Sequence, residues 1–352
     1  MSYRIALTFE DGVTKVISCN PSETVMNAAY RQKVNLPVDC SDGVCGTCKC
    51  RCEQGVYDLG DEYLDEALTE DEAAGGLVLT CQMVPEGDCI VAVPVPSSAC
   101  KLGPAEFEGR ITTLRQVSDS TILLGLTLPD PAALDFLPGQ YVNLGLPGGV
   151  VTRSYSFSSA PGAAEATFLI RNVPGGAMSR YLRETAKPGE TLRFTGPFGS
   201  FFLRERARPI VMLAGGTGLA PILSMLETMA EDGAAQDGAR KDGTDHVPIH
   251  LLYGVTTDAD LVETARIEAL ADRLPGFSWA TCVADEASSH PLKGYVTNHL
   301  DDAMLHGGAV DIYLCGPPAM VEAVRSFLRD KGVDPANFHY EKFTPSAVEE
   351  AA

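Results

Sequence analysis

The 352-residue chain is poor in positive charge: 27 Lys and Arg face 47 Asp and Glu, a formal net charge of −20. Nucleic-acid binding needs basic patches for the phosphates, and anionic lipid repels such a chain. Both partner classes are therefore excluded, and the remaining general role of the acidity is solubility. No apolar run is long enough to span a bilayer. The opening Met1-Ser2-Tyr3-Arg4-Ile5 passes directly into strand-like alternation, without the features of a signal peptide. A cytoplasmic chain is the expectation. No Cys-x-His pair occurs, which argues against a Rieske centre within this chain. Cysteine itself is plentiful: 11 residues, an odd count, mostly crowded between Cys40 and Cys100. Without a secretion signal, that crowding reads as a metal or redox site and not as a disulfide frame.

The length suits two or three domains. Residues 4–9 and 14–19 alternate around Asp11-Gly12, which predicts a hairpin on a two-residue turn. A helix should follow, with Ser22 or Thr24 as N-cap and Val25, Ala28 and Ala29 facing inward. After the Cys-rich loop, residues 91–98 read as an extended, Pro-punctuated linker. Between Phe107 and Leu203, short strands separated by Gly and Pro turns suggest a small antiparallel barrel. From Pro209 the pattern changes to buried strands alternating with helices: 210–214, 249–255, 277–283 and 310–314 predict a parallel α/β sheet. The polar stretch 231–246 reads as an exposed loop, and the residues after Phe343 as a disordered tail. The expected division is 1–98, 104–206, 207–345 and a tail at 346–352.

Cys40, Cys45 and Cys48 have the spacing C-x4-C-x2-C, and Cys81 follows far downstream. This is the plant-type [2Fe-2S] pattern, in which four soft thiolates hold two irons with bridging sulfides. Gly43 and Gly46 let the loop wrap and aim N–H groups at sulfur. A structural zinc would favour two C-x2-4-C pairs; Cys45 and Cys48 could be one, but Cys81 and Cys89 are a poor second. Cys50 and Cys52 are the rivals for ligand duty.

Arg153-Ser154-Tyr155-Ser156 falls on a barrel strand, with Arg153 and Tyr155 on one face and Ser154 and Ser156 on the other. Arg153 suits a pyrophosphate, Tyr155 offers a flat surface for an isoalloxazine ring, and Ser156 offers donors to a ring nitrogen. Residues 173–179 (Val173, Gly176, Met178 and Ser179 among them) look like a Gly turn entering a helix N-terminus, where phosphate is favoured. Together they point to FAD. The buried strand ending at Ala214 runs into Gly215-Gly216-Thr217-Gly218, a phosphate-binding layout, with Pro221 suited to a first helical turn. Cys315-Gly316-Pro317 sits at the tip of another strand, where ligands of such sheets bind, and Cys315 is placed beside the reacting nicotinamide. Asp258 and Asp260 after the second α/β strand, and Asp285-Glu286 after the third, select NADH over NADPH, whose 2′-phosphate usually needs an Arg.

With these motifs in place, the chain resembles the reductase components of class IB aromatic-ring-hydroxylating (Rieske) dioxygenases, the benzoate, toluate and anthranilate 1,2-dioxygenase group. Further segments carry the likeness: Gly139-Gln140-Tyr141-Val142, Arg171-Asn172-Val173-Pro174, Gly196-Pro197-Phe198-Gly199, Lys293-Gly294-Tyr295-Val296-Thr297 and Glu341-Lys342-Phe343. The resemblance implies an α+β multidomain protein: a β-grasp [2Fe-2S] ferredoxin domain, an antiparallel FAD barrel, and an α/β parallel-sheet NAD domain of the ferredoxin-reductase type. It implies that Arg171 joins the flavin site and that Phe343 covers one flavin face. It implies electron flow from NADH to FAD to the cluster to a terminal oxygenase, with Ser156, Cys315 and Phe343 nearest the chemistry in a monomeric reductase. The alternatives are a reductase for a di-iron aromatic or alkane monooxygenase, and a slow redox sensor that holds the same cofactors.

Overall fold

Alternation in Tyr3–Phe9 and Thr14–Cys19 buries Ile5, Leu7, Phe9, Ile17 and Cys19 on one face of an antiparallel hairpin. The computed structural model to which these strands belong describes residues 2–100, 104–148, 151–236 and 247–343. The hairpin loop is longer than a two-residue turn. Phe9 and Val13 are hydrogen-bonded (2.9 Å) across Glu10, Asp11 and Gly12, and Gly12 takes φ +75°. A left-handed third residue is the usual close of such a loop. The helix Val25–Arg31 is capped by Thr24, whose hydroxyl accepts from Asn27 N, and it buries Val25, Ala28 and Ala29. Ser22 instead holds φ +63° upstream of the cap.

The sheet of this first unit runs in the order Thr14–Cys19, Tyr3–Phe9, Cys89–Val93, Lys49–Gln54, Leu77–Leu79. Cys89–Val93 pairs parallel with Tyr3–Phe9 and antiparallel with Lys49–Gln54. Residues 91–93, expected as linker, are thus the end of a central strand. Cys89, Val91 and Val93 are buried with strand periodicity, and the prolines at 94 and 96 only end the run.

The chain divides into two compact units, Met1–Ala105 with Phe198–Ser200, and Glu106–Pro197 with Phe201–Ala352. The second contains both later sheets. Its six-stranded sheet has the order Thr152–Ser156, Tyr141–Gly145, Thr191–Phe198, Ala105–Ser118, Thr121–Thr127, Ala166–Arg171. The hairpin pairings are antiparallel. A bridge between Phe157 and Phe168 joins the two ends, around a core that includes Phe136, Phe157, Phe168 and Phe194.

The other sheet is wholly parallel, in the order Phe277–Val283, Ile249–Val255, Ile210–Gly215, Asp311–Gly316, Asn337–Lys342. Its order reverses between the first and fourth strands, and ligands bind such sheets at that switch point. The last strand had no counterpart among the expected strands. The helix Leu219–Gln236 also runs six residues into the stretch expected as loop. The rest of that loop, 237–246, and the tail expected after Phe343 lie outside the described residues. Leu123 and Leu169 of the barrel join the hydrophobic cluster of the parallel sheet, so barrel and sheet share packing. Among the described residues no helix is long and apolar enough to cross a membrane.

Candidate functional site

Pairing of Lys49 with Leu79 fixes where the distant cysteine lands. Cys48 stands just before one strand and Cys81 two residues beyond the other. Thr80 N donates to the Cys48 carbonyl (3.2 Å), and the Cys48 and Cys81 sulfurs lie 3.2 Å apart. At the other side of the loop the Cys45 thiol bonds the Cys40 sulfur, which also accepts from the N–H groups of Asp42, Val44 and Cys45, each at 3.4 Å. The hydrogen bond from Cys45, with those three N–H groups, pulls the Cys40 thiol down against the effect of burial. The bond from Cys48, assisted by Gly43 N–H, likewise lowers Cys81. The same bonds, with burial, push Cys45 and Cys48 up, so each pair has one lowered and one raised thiol.

Gly43 and Gly46 hold φ near +75° and +73°. A Cβ on Gly43 would lie 2.8 Å from the Glu62 carbonyl oxygen, and one on Gly46 3.1 Å from that of Ala67. The loop can wrap only because neither carries a side chain. Among the described residues no three His, Cys, Asp or Glu side chains converge as a single-ion site. The four thiols instead form two pairs. A cluster of two irons with bridging sulfides asks for two thiolates per iron, whereas one tetrahedral zinc would gather all four. The donor set fits the cluster. Cys50 is buried in the core, and Cys52 lies four residues up the strand from Cys48.

In the barrel, Tyr141 pairs with Ser156, Val142 with Tyr155, Asn143 with Ser154 and Leu144 with Arg153. Ser154 is exposed and donates to Asn143 Oδ1 (2.7 Å); Arg153 is half-buried and bonds the Thr152 carbonyl (2.7 Å). Tyr155 packs against the barrel core, and burial pushes its phenol up, so it stays neutral. Arg171 and Val173 are exposed at the end of the strand Ala166–Arg171. Gly176 is the N-cap of the helix Ala177–Glu184 and makes no side-chain cap bond. Met178 and Ser179 turn inward: Met178 is in the core, and the Ser179 hydroxyl accepts from Val173 N (2.8 Å) and donates to the Arg171 carbonyl (3.3 Å). What these two can offer a phosphate is backbone N–H at the helix start.

At the switch point, Gly215 and Gly316 face each other. A Cβ on Gly316 would lie 2.7 Å from Met320 Sδ and 3.3 Å from Gly215 Cα. Gly216 takes φ +55° with open space around it, while Gly218 lies against the Cys315 carbonyl. Thr217 is half-buried between them, and Pro317 is exposed at the start of the helix Pro318–Asp330. Cys315 is fully buried. Burial, with Glu341 adding to it, pushes its thiol well up, so it remains S–H.

The added strand supplies what the motifs alone did not. Cys315 pairs with Glu341, Phe343 N donates to the Gly316 carbonyl (2.9 Å), and the buried Ser156 hydroxyl donates to Glu341 Oε2 (3.3 Å). Ser156, Cys315, Glu341 and Phe343 therefore meet where barrel and parallel sheet join. In the sequence Glu341 is marked only as part of Glu341-Lys342-Phe343; strand pairing places it across from Cys315. After the strand Ile249–Val255, Asp260 is held by Ser120 and Thr257, and Asp258 accepts from Ser288 Oγ (2.8 Å).

Three family models match the chain. Residues 8–86 match the 2Fe-2S iron-sulfur cluster binding domain family, 108–203 the oxidoreductase FAD-binding domain family, and 212–326 the oxidoreductase NAD-binding domain family. A [2Fe-2S] cluster, FAD and NADH are the cofactors these domains carry. The chain is 52% identical over 347 residues to a toluate 1,2-dioxygenase electron transfer component of Pseudomonas putida, covering 99% of this chain and 100% of that one. It is 48% identical to a 2-halobenzoate 1,2-dioxygenase electron transfer component of Burkholderia cepacia, covering 98% and 99%. Among solved structures, a cytochrome P450 reductase of Amycolatopsis superposes with a TM-score of 0.67 at 30% identity, covering 97% of this chain and 99% of that chain.

Proposed function

Because the chain belongs to the electron transfer components of aromatic-ring 1,2-dioxygenases, we propose that it draws electrons from NADH and delivers them singly to a terminal oxygenase. When bound, the flavin accepts hydride and the cluster passes electrons one at a time. The residues bind, orient and exclude water. Cys40, Cys45, Cys48 and Cys81 would hold the cluster. Arg153 and Arg171 address the pyrophosphate of FAD, and the backbone from Val173 and Gly176 through Met178 and Ser179 supplies further donors. Tyr155, Ser156 and Phe343 would hold the flavin ring, Tyr155 and Phe343 by apolar contact and Ser156 by hydrogen bonding. Gly216, Thr217, Gly218, Gly316 and Pro317 receive the nicotinamide nucleotide at the strand tips. Glu341 fixes the Ser156 hydroxyl, and Cys315 presents a neutral thiol beside the transfer.

The observation that carries this reading is the Ser156–Glu341 hydrogen bond. It ties the Arg153–Ser156 segment to the strand tip beside Cys315, so one wall serves both flavin and nicotinamide. A reductase for a di-iron monooxygenase has the same module order; the two relatives above are both dioxygenase components, and that favours the oxygenase partner named here. All 11 cysteines are unpaired, which suits a reducing cytoplasm, where we place the chain as a monomer. Protein purified without oxygen should contain FAD with about two irons and two labile sulfides, and NADH should bleach flavin and cluster alike. Zinc in place of iron, or a cluster that NADH leaves oxidised, would overturn the proposal.

A further inference from the structure

We infer that Cys52 and Cys89 are a dithiol pair that closes reversibly to a disulfide by exchange with a small disulfide such as oxidised glutathione. Nothing in the electron path uses either residue. Cys52 pairs with Val91 across adjacent antiparallel strands, and Cys89 lies two residues from Val91, so both thiols project from one face. In a regular ladder such diagonal neighbours stand roughly 7–8 Å apart, beyond the roughly 4.4–6.8 Å between Cα atoms that a disulfide spans. Here the register shifts between Cys52 and Gln54, a bulge, so the ladder is not regular at this point: the strand bends and its twist increases. Both sulfurs then point at the same turn: Cys52 Sγ is 3.5 Å from the Gln54 carbonyl oxygen, and Cys89 Sγ is 3.6 Å from that of Val56. Burial holds both thiols up, and each also feels the other. Gly55 permits this, since a Cβ there would lie 2.9 Å from Cys89 Cα and closer still to its sulfur.

The two positions differ in access. Cys52 is half-exposed, while Cys89 is 3% exposed. Cys52 therefore reacts first. Its thiolate attacks one sulfur of oxidised glutathione, a mixed disulfide forms, and one glutathione leaves as thiol. Cys89 then attacks the Cys52 sulfur; the Cys52–Cys89 bond forms and the second glutathione leaves as thiol. Two protein thiols lose two electrons in total, and the one glutathione disulfide gains them. Closure ties the strand that follows Cys48 to the central strand Cys89–Val93.

The test is to incubate the holoprotein anaerobically with oxidised glutathione, block free thiols under denaturing conditions, and map the peptides by mass spectrometry. The expected product is a peptide cross-linked through Cys52 and Cys89 that dithiothreitol releases, with cluster and flavin absorbance unchanged. Cys89→Ala should leave Cys52 as a stable glutathione adduct. Should that variant not fold, Cys52→Ser takes its place, and its Cys89 should be recovered unmodified. Recovery of both residues as free thiols from the wild type, a lasting glutathione adduct on wild-type Cys52, or a cross-link from Cys52 to another cysteine would each overturn the inference.

Discussion

Gly218 offers the sharpest mechanical test of the switch point. Its φ is not in the left-handed region, so conformational freedom does not explain the glycine. Space does: a Cβ there would lie 2.7 Å from the Cys315 carbonyl carbon and closer to its oxygen, where real Cβ contacts do not fall below 3.0 Å. The obstacle is backbone, and that backbone belongs to a fully hydrogen-bonded central strand. In Gly218→Ala one of the two must retreat by roughly 0.5–1 Å, and overpacking of this kind costs about 1–3 kcal/mol. For a unit of this size the melting temperature should fall by roughly 2–12 °C. The retreat also shifts Cys315 relative to Glu341, and misplacement by about 1 Å near a reacting centre costs on the order of 100-fold in rate. Steady-state reduction of ferricyanide by NADH should therefore drop between about tenfold and 100-fold. The cluster spectrum, which belongs to the other unit, should be unaffected. A variant with wild-type melting temperature and wild-type turnover would refute the reasoning.

Three further outcomes follow from the same geometry. Ser156→Ala removes the donor to Glu341 and should slow NADH-driven flavin bleaching in stopped flow by about 10- to 100-fold with FAD still bound; an unchanged rate would show that the hydroxyl only packs. Asp258 and Asp260 border the nucleotide side, and their charge opposes a 2′-phosphate, so kcat/KM for NADPH should be lower than for NADH by roughly tenfold or more; comparable values would contradict this. Asp58, Asp61, Glu62, Asp65, Glu66, Glu70 and Asp71 are exposed, so electron delivery to a reconstituted oxygenase should slow severalfold as the screening length shrinks from about 30 to 8 Å; a salt-independent rate would assign the acids to solvation alone.

That acidic stretch also shows where the sequence could be read and where it could not. Glu72 looks like its neighbours, yet it is 4% exposed, closes a capping box with Thr69 and pairs with Lys49 at 2.7 Å. The capping residues are local; the Lys49 partner is set by sheet packing. Cys40, Cys45 and Cys48 were legible because their loop is short and its glycines are dictated by nearby backbone. Cys81 could be named from spacing, but only the Lys49–Leu79 pairing explains its arrival. Residues 91–93 were misplaced because Pro94 and Pro96 outweighed a short β-branched run. The strand Asn337–Lys342 was missed because it has no apolar run, only Phe338 and Tyr340 set between polar residues, and no residue of it is fully buried. Glu341 went with it, since a side chain's meeting with Ser156, 185 residues away, has no local signature.

The central claim is that electrons reach the partner only through the four-thiol loop, while hydride transfer belongs to the other unit. Cys45→Ser tests it most directly, because Cys45 is exposed at the loop tip and bonds Cys40, and a hydroxyl is a poor substitute for a soft thiolate on iron. The measurement is the ratio of two activities in the same purified variant, NADH-driven reduction of ferricyanide and NADH-driven reduction of cytochrome c, alongside iron and FAD content. The account predicts retained FAD, near wild-type ferricyanide reduction, lost or crippled cluster iron, and cytochrome c reduction reduced to a small residue. Wild-type rates in both assays would remove Cys45 from the ligand set and return Cys50 or Cys52 to candidacy; loss of both activities with FAD still bound would contradict the order of electron flow.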